Sequence, residues 1–379
     1  MNNNQIRTLS KVLAVIFAIV VASCTPNGEI EQAIAPTAHQ TKIGVLLPLS
    51  GPAAFVGNNA KNGIQLAYDS LPETQKARID LIFEDDSCAA KQGLDAANKL
   101  VQTDKIHFLM GPVCNAVIGS TADLMKENRI VYLSLGALNS NFIGLGPHHF
   151  SLHPRTRALI ERLADYSYDT KDARILAILY LDDEFGVESA NYFDDRFTQR
   201  GGKITTQEKF AKGDTDFRTQ LTKIMESPID GIFIQSYGAP LIAQLKQMDE
   251  LGLKTQIYGP VTTQDPVHID GAGELADWII YPYSYKNTGE LAQTAFENGY
   301  LNRYGKEPDI YARTSFDSFN ALNDALNRCG DESECVMTHL SSLTGYRGAI
   351  GSISIDADGI GLMPITINQI EAGKFVTIG

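Results

Sequence analysis

The 379-residue sequence predicts an α/β protein of two Rossmann-like lobes, each a parallel sheet with helical crossovers, joined by a three-strand hinge. Three observations predict it. Apolar strand-like runs alternate with longer stretches of helical period, the order that produces parallel strands linked by right-handed helical connections. The pattern starts afresh at Arg174, and two similar halves are better housed in two lobes than in one very wide sheet. Strand-like stretches with turn residues at 148–154, 278–286 and 345–356 stand where a chain would leave the first lobe, return to it and cross once more. Composition agrees, since 44% apolar residues can supply a core to each of two domains of ordinary size.

The first element is for export. Arg7 and Lys11 precede an apolar run from Val12 to Ala22, which has the length of a signal-peptide core and is too short to span a bilayer. Val21-Ala22-Ser23-Cys24 resembles the lipobox of bacterial lipoproteins, so residues 1–23 are expected to be removed and Cys24 to carry lipid. Thr25, not an aspartate, follows the cysteine, which in a bacterium with two membranes resembles the pattern sent to the outer membrane. Residues 24–41 are polar, carry Pro and Gly and lack a period, and so read as a tether. Loss of residues 1–23 removes two cations and no acid, taking the net charge from −13 to −15. An acidic surface without a basic cluster repels phosphate backbones and excludes a nucleic-acid partner.

The repeating units follow. KIGVLLPL (42–49) reads as a strand and NAKNGIQLAYDSL (59–71) as its helix; RIDLIFED (78–85) pairs in the same way with AAKQGLDAANKLVQ (89–102), and IHFLMG (106–111) with CNAVIGSTADLMKEN (114–128), before RIVYLSL (129–135). The second series gives RILAILYL (174–181), ESANYFDDRFTQR (188–200), KITTQEKF (203–210), DFRTQLTKIMES (216–227), DGIFIQ (230–235), PLIAQLKQMDELG (240–252) and QIYG (256–259). With the hinge stretches, this assigns 42–151 plus 285–347 to an N-terminal lobe and 152–284 plus 348–379 to a C-terminal lobe. Trp278, Tyr281, Tyr283 and Tyr285 fall in a strand-like stretch and read as packing, with one tyrosine at the cleft rim.

Setting Cys24 aside leaves Cys88, Cys114, Cys329 and Cys335, an even number that points to two disulfides in an exported chain. Proximity favours Cys329 with Cys335 across CGDESEC, leaving Cys88 for Cys114. Cys114 itself, on a Gly-Pro turn before a helix, reads either as a nucleophile or as one half of a staple beside a pocket.

In open parallel sheets, ligands bind beyond the carboxyl ends of the strands, where loops and helix N-termini aim donors into the crevice. Those loops are LSGPAAFVG (49–57), EDDSC (84–88), GPVCNA (111–116), SLGALNS (134–140), DDEFG (182–186), QSYGAP (235–240) and GPVTTQDP (259–266), small and polar with single aromatics. Other chemistries are weaker. His148, His149 and His153 lack a third ligand of defined spacing for a metal, and Glu84-Asp85-Asp86 reads as loop capping before it reads as an acid/base pair. CGDESEC has no calcium-ligand spacing. No Gly-Lys-Ser/Thr follows Gly111 and Gly119, and no Gly-x-Ser-x-Gly elbow occurs, so neither a phosphate loop nor a hydrolase is indicated.

The residues from about Lys42 to the C-terminus resemble a known family. KIGVLLPLSGPAAFVGNNAKNGIQLA, EDDSCAAKQGLDAANKLV, GPVCNAVIG, GDTDFRTQLTKI and the run to GKFV occur in the order of the branched-chain-amino-acid-type substrate-binding proteins of ABC importers, the type I periplasmic binding proteins. The resemblance implies that Cys88 and Cys114 form a disulfide and that Asn115, just after it, touches the ligand. It also implies ligand contacts at Ser50, Ser134, Gly136, Leu138, Phe185, Tyr237 and Val261. Leu138 stands where a hydroxyl is expected, and Val261 where the family places the carboxylate that meets a ligand ammonium. A zwitterion would then bury an unpaired cation at a cost of several kcal/mol, unless Asp182, Asp183 or Asp265 supplies the charge from another loop. The expected function is a lipid-anchored solute-binding protein of the periplasm or cell envelope, not an enzyme. It is expected to act as a monomer without metal or cofactor, closing two lobes around a small polar molecule, an amino acid or related amide or carboxylate, for an ABC permease. The alternative is an envelope ligand sensor, or an outer-membrane lipoprotein that regulates a partner enzyme by contact.

Overall fold

The computed structural model describes residues 40–379 except Ala137, Ile143 and the side chain of Phe142. The expected signal segment, Cys24 and nearly all of the tether lie outside the described residues. The first sheet is wholly parallel, in the order β2-β1-β3-β4-β5, with β1 Thr41–Leu47, β2 Ile79–Asp85, β3 Phe108–Met110, β4 Val131–Ser134 and β5 His149–Ser151. Its inner strand β1 is buried from Ile43 to Leu47 without alternation because helices cover both faces. Helix α1 (Ala54–Asp69), α2 (Ala90–Asn98) and α3 (Asn115–Glu127) make the crossovers.

Helix α4 (Thr156–Asp169) opens the second lobe. Its sheet runs β15-β14-β10-β9-β8-β6-β7, with β6 Ile175–Leu181, β7 Lys203–Phe210, β8 Gly231–Gln235, β9 Gln256–Tyr258 and β10 Ile280–Tyr283 parallel. The two last strands, β14 Thr366–Glu371 and β15 Lys374–Thr377, add antiparallel at the edge. Helices α5 (Glu184–Gln199), α6 (Arg218–Ile224), α7 (Gly238–Leu251) and α8 (Pro266–Ala272) complete this half.

Between β10 and β14 the chain returns to the first sheet. Helices α9 (Leu291–Tyr304) and α10 (Ile310–Cys329) pack on α1, where the Tyr304 hydroxyl donates to the Asn62 carbonyl (3.1 Å) and Asn59 Nδ2 to Asp309 Oδ2 (2.8 Å). The α1–α10 approach is so close that a Cβ on Gly63 would lie 2.1 Å from the Ala312 carbonyl oxygen, so only glycine serves there. Helix α11 (Ser333–Ser341) follows, joined to the end of α10 by the Cys329–Cys335 disulfide.

Two hinge expectations need correction. Residues 345–356 do not cross between lobes; β11 (Tyr346–Gly348) and β12 (Gly351–Ile355) form a hairpin that, with β13 (Gly361–Leu362), makes a separate small sheet. Asp317 of α10 anchors it, accepting from the Ala349 and Ile350 amides at 2.7 and 2.9 Å. The third passage comes after Leu362, ahead of β14. The 278–286 stretch does hold a passage, but only in its last residues: Ile280–Tyr283 is β10, an inner strand of the second sheet, and the chain leaves it after Tyr283. Apolar period alone does not separate an inner strand from a connection.

Candidate functional site

Beyond the carboxyl ends of β1, β3 and β4 on one side, and of β6, β8 and β9 on the other, lies a cavity of about 250 Å³. The first lobe contributes Ala53, Val56, Val113, Asn115, Ala116, Gly136 and the Cys88–Cys114 disulfide; the second contributes Asp183, Glu184, Phe185, Lys212, Tyr237, Val261 and Thr262; Tyr311 enters from the start of α10. Three helices therefore begin at this cavity. Helix α3 starts at Asn115, and Cys114, Asn115 and Ala116 line the space, so the positive end of the helix lies at the cavity. Helix α5 starts beside Asp183, whose Oδ1 accepts from the Gly186 amide at 2.7 Å. Helix α7 starts after Tyr237, and its first amide, Gly238 N–H, donates to His268 Nε2 at 2.8 Å.

Five of the eight expected ligand residues, Asn115, Gly136, Phe185, Tyr237 and Val261, come together here. Gly136 is required by its neighbours, since a Cβ would lie 2.2 Å from the Val113 carbonyl oxygen at the cavity wall. The other three point elsewhere. Ser50 sits on the outer side of its loop, its hydroxyl 2.6 Å from Ser87 Oγ and its amide donating to Asp85 Oδ1 at 3.3 Å. The buried Ser134 hydroxyl bonds His149 Nε2 at 2.9 Å. Leu138 packs with Ile118 and Ile360, which is why a leucine replaces the hydroxyl there.

The question of the missing carboxylate has a geometric answer. Asp182 pairs with Lys209 (2.8 Å) outside the cavity, and Asp265 caps α8 through the Val267 amide (2.8 Å). Asp183 alone of the three lines the cavity. Burial raises its pKa, with the Gly186 amide and the Lys212 charge opposing the rise, so a cation entering the cavity would be welcomed by this carboxylate. Tyr237, buried and beside Asp183, has its hydroxyl pushed up to about 12 and stays neutral.

Residues singled out for other chemistry are used structurally. Asp85 Oδ1 accepts from the Leu49 and Ser87 amides (both 2.9 Å), and Asp86 from the Cys88 amide (2.7 Å), bracing the loop that carries Cys88; burial pushes Asp86 up to about 6. His149 stacks on Tyr132, while His153 Nε2 lies 2.5 Å from Thr314 Oγ1, so the two rings serve different partners. Tyr281 and Tyr283 are fully buried, and Tyr285 lies under the Arg313 guanidinium at 3.8 Å; the cavity tyrosines are Tyr237 and Tyr311 instead. Tyr311 and Lys212 had no signal in the sequence, because each is an ordinary residue of a helix start or turn until the lobes meet.

Among the described residues, the lining contains no histidine, and its two cysteines are bonded to each other. Cys114 is thus a staple and not a nucleophile. Asn115 has a second use, its Oδ1 accepting from the Asn139 amide (3.2 Å), and Asn139 Nδ2 reaches across to the Glu184 carbonyl (3.0 Å).

A family model for periplasmic binding proteins matches residues 40–374. The Leu/Ile/Val-binding protein BraC3 of Rhizobium johnstonii is 25% identical over 369 residues, covering 91% of this chain and 95% of that protein. Among solved structures, the leucine-binding protein LivK of Thermotoga maritima superposes with a TM-score of 0.85 at 23% identity, over 89% of this chain and 98% of that one. A solute-binding protein of an ABC transporter from R. palustris, in complex with benzoate, gives 0.83 at 20% identity, over 90% and 96%. At these identities the structural likeness establishes the fold.

Proposed function

The chain belongs to the periplasmic binding protein family, and from that premise we propose that it captures a small polar solute between two closing lobes and hands it to an ABC permease. The observation that carries the reading is the cavity itself, whose walls come in similar measure from 53–136 and from 183–262. A ligand that touches both walls binds the closed arrangement better than the open one and so shifts the population towards it. The closing units are 42–151 with 285–362 and 152–284 with 363–379, the last boundary lying after the small β11–β12–β13 sheet and not at 347.

The α3 N-terminus receives a ligand carboxylate, Asp183 receives an ammonium where there is one, and Phe185, Tyr237, Val261 and Tyr311 cover an apolar body. Leucine and benzoate, the ligands of similar proteins, share that carboxylate-plus-apolar pattern. The protein works in the periplasm, held to a membrane by lipid on Cys24, as a monomer.

The test is a thermal-shift screen of the protein from residue 25 onward against amino acids, amides, benzoates and short carboxylates, followed by small-angle scattering with each hit. A folded-state ligand raises the melting temperature by mass action, by about 2.7 kcal/mol of stability at a hundred times its dissociation constant. A hit should also reduce the radius of gyration. Hits that leave the radius unchanged would sink the closing-lobe mechanism.

A further inference from the structure

A second cavity of about 380 Å³ adjoins the first, sharing Tyr237 and Lys212 as a common wall. Its remaining surface is largely apolar, with Pro52 facing Leu181, Phe210, Pro240 and Ala243 across the lobes. Into it opens the start of α7, a helix of 14 residues; its Gly238 amide donates to His268 Nε2 (2.8 Å) and Pro240 carries no N–H, which leaves the Ala239 amide on this turn. Ser236, immediately before Tyr237, lines the same space; it is 1% exposed and its Oγ has no hydrogen-bond partner. The Lys212 ammonium, on the shared wall, is within reach of the Asp183 charge but makes no ion pair within 4 Å among the described residues, whereas Asp214 on the far side is occupied as the acceptor of the Ala211 amide (2.7 Å). A buried hydroxyl without a partner, the Ala239 amide at the positive end of a helix and the Lys212 ammonium converge on one largely apolar chamber. Each of the three favours an anion.

We propose that this second chamber is an annex of the ligand site, and that it receives an anionic group at the far end of an elongated ligand. The inference rests on the reading of the first cavity as the solute site. The ligand class it names is an organic acid with a second acidic group, its apolar middle passing Tyr237 and its far carboxylate taken by Ser236, Lys212 and the Ala239 amide. A short monocarboxylate would leave the annex empty.

The test uses the protein from residue 25 onward and isothermal titration with matched pairs: L-2-aminoadipate against L-norleucine, and suberate against its monomethyl ester, with leucine and benzoate alongside. The readout is the ratio of dissociation constants within a pair, which cancels effects on folding or on the first cavity. In the unmodified protein the second acid should improve binding by about tenfold or more in at least one pair, the effect of a charge-assisted hydrogen bond. Lys212→Gln and Ser236→Ala should each bring that ratio towards one, and Ala243→Phe, which fills the chamber, should abolish it. Circular dichroism confirms that each variant is folded, and Lys212, being exposed, can be changed without loss of core packing. A ratio near one in the unmodified protein, with leucine or benzoate bound, overturns the annex and leaves the solute site standing. A large ratio that survives Lys212→Gln and Ser236→Ala also overturns it. Binding of no probe at all overturns both readings.

Discussion

Removing the Cys88–Cys114 disulfide should cost more stability than removing Cys329–Cys335, and the difference can be worked out from the chain. The first spans a sequence separation of 26 and the second of 6. In the loop-closure model, breaking the longer bridge returns about 12 cal/mol/K of entropy to the unfolded chain, or about 3.5 kcal/mol at 25 °C, against about 2.2 kcal/mol for the shorter. With roughly 2.1 cal/mol/K of unfolding entropy per residue, the larger loss lowers the melting temperature by roughly 5 °C and the smaller by roughly 3 °C. The variants are Cys88→Ser with Cys114→Ser, and Cys329→Ser with Cys335→Ser, compared by urea unfolding followed by far-ultraviolet circular dichroism. The first pair should also weaken ligand binding, because the bridge is part of the cavity wall and Cys114 precedes the first turn of α3. The second lies on the far end of α10 and should leave binding alone. Equal losses, or a larger loss from the short bridge, would refute the entropic reasoning.

Three further outcomes are expected. Asp183→Asn keeps the oxygen that caps α5 but removes the charge, so binding of an amine-bearing ligand should fall by at least about tenfold while a plain carboxylate is spared; calorimetry with leucine and benzoate separates the two. Gly136→Ala drives a methyl into the Val113 carbonyl and should cost about 1–3 kcal/mol with loss of the site's shape, visible in melting temperature and affinity together. His149 and His153 are held by burial at about 4 and about 3, below their ordinary 6.5, so their contribution to stability is present above pH 6.5 and is lost as pH falls towards 4. Asp317, pushed by burial up to about 7, acts oppositely: its contribution is complete below pH 3.8 and fades as pH rises through 7. Between pH 4 and 7 the melting temperature should therefore fall relative to that of Asp317→Asn and the difference should level off above about 7; a difference that does not change with pH would contradict the assignment.

What the sequence determined by itself is what local pattern and covalent bonding carry. The alternation of buried runs such as Ile43–Leu47 with helical periods dictates parallel sheets with crossovers, since a strand covered on both faces has no polar side to alternate. Two cysteines six residues apart find each other with little help from the fold. The loops that end β1, β3, β6 and β8 could likewise be named as a site in advance, because strand ends and helix starts in such sheets converge. Tertiary structure alone decided which side chains of those loops turn inward. Ser134 ends β4 and Leu138 lies four residues on, a spacing a regular strand would put on one face with Gly136; the chain leaves the strand after Ser134, and packing against β5 and α3 sets Ser134 on His149 and Leu138 on Ile118. Tyr311 and Lys212 reach the cavity only after α10 docks on α1 and the two lobes face each other, contacts that no sequence period encodes. The choice of Asp183 over Asp182 was decided in the same way: neighbours in sequence, one turned to solvent and Lys209, the other turned into the cavity by the helix it caps.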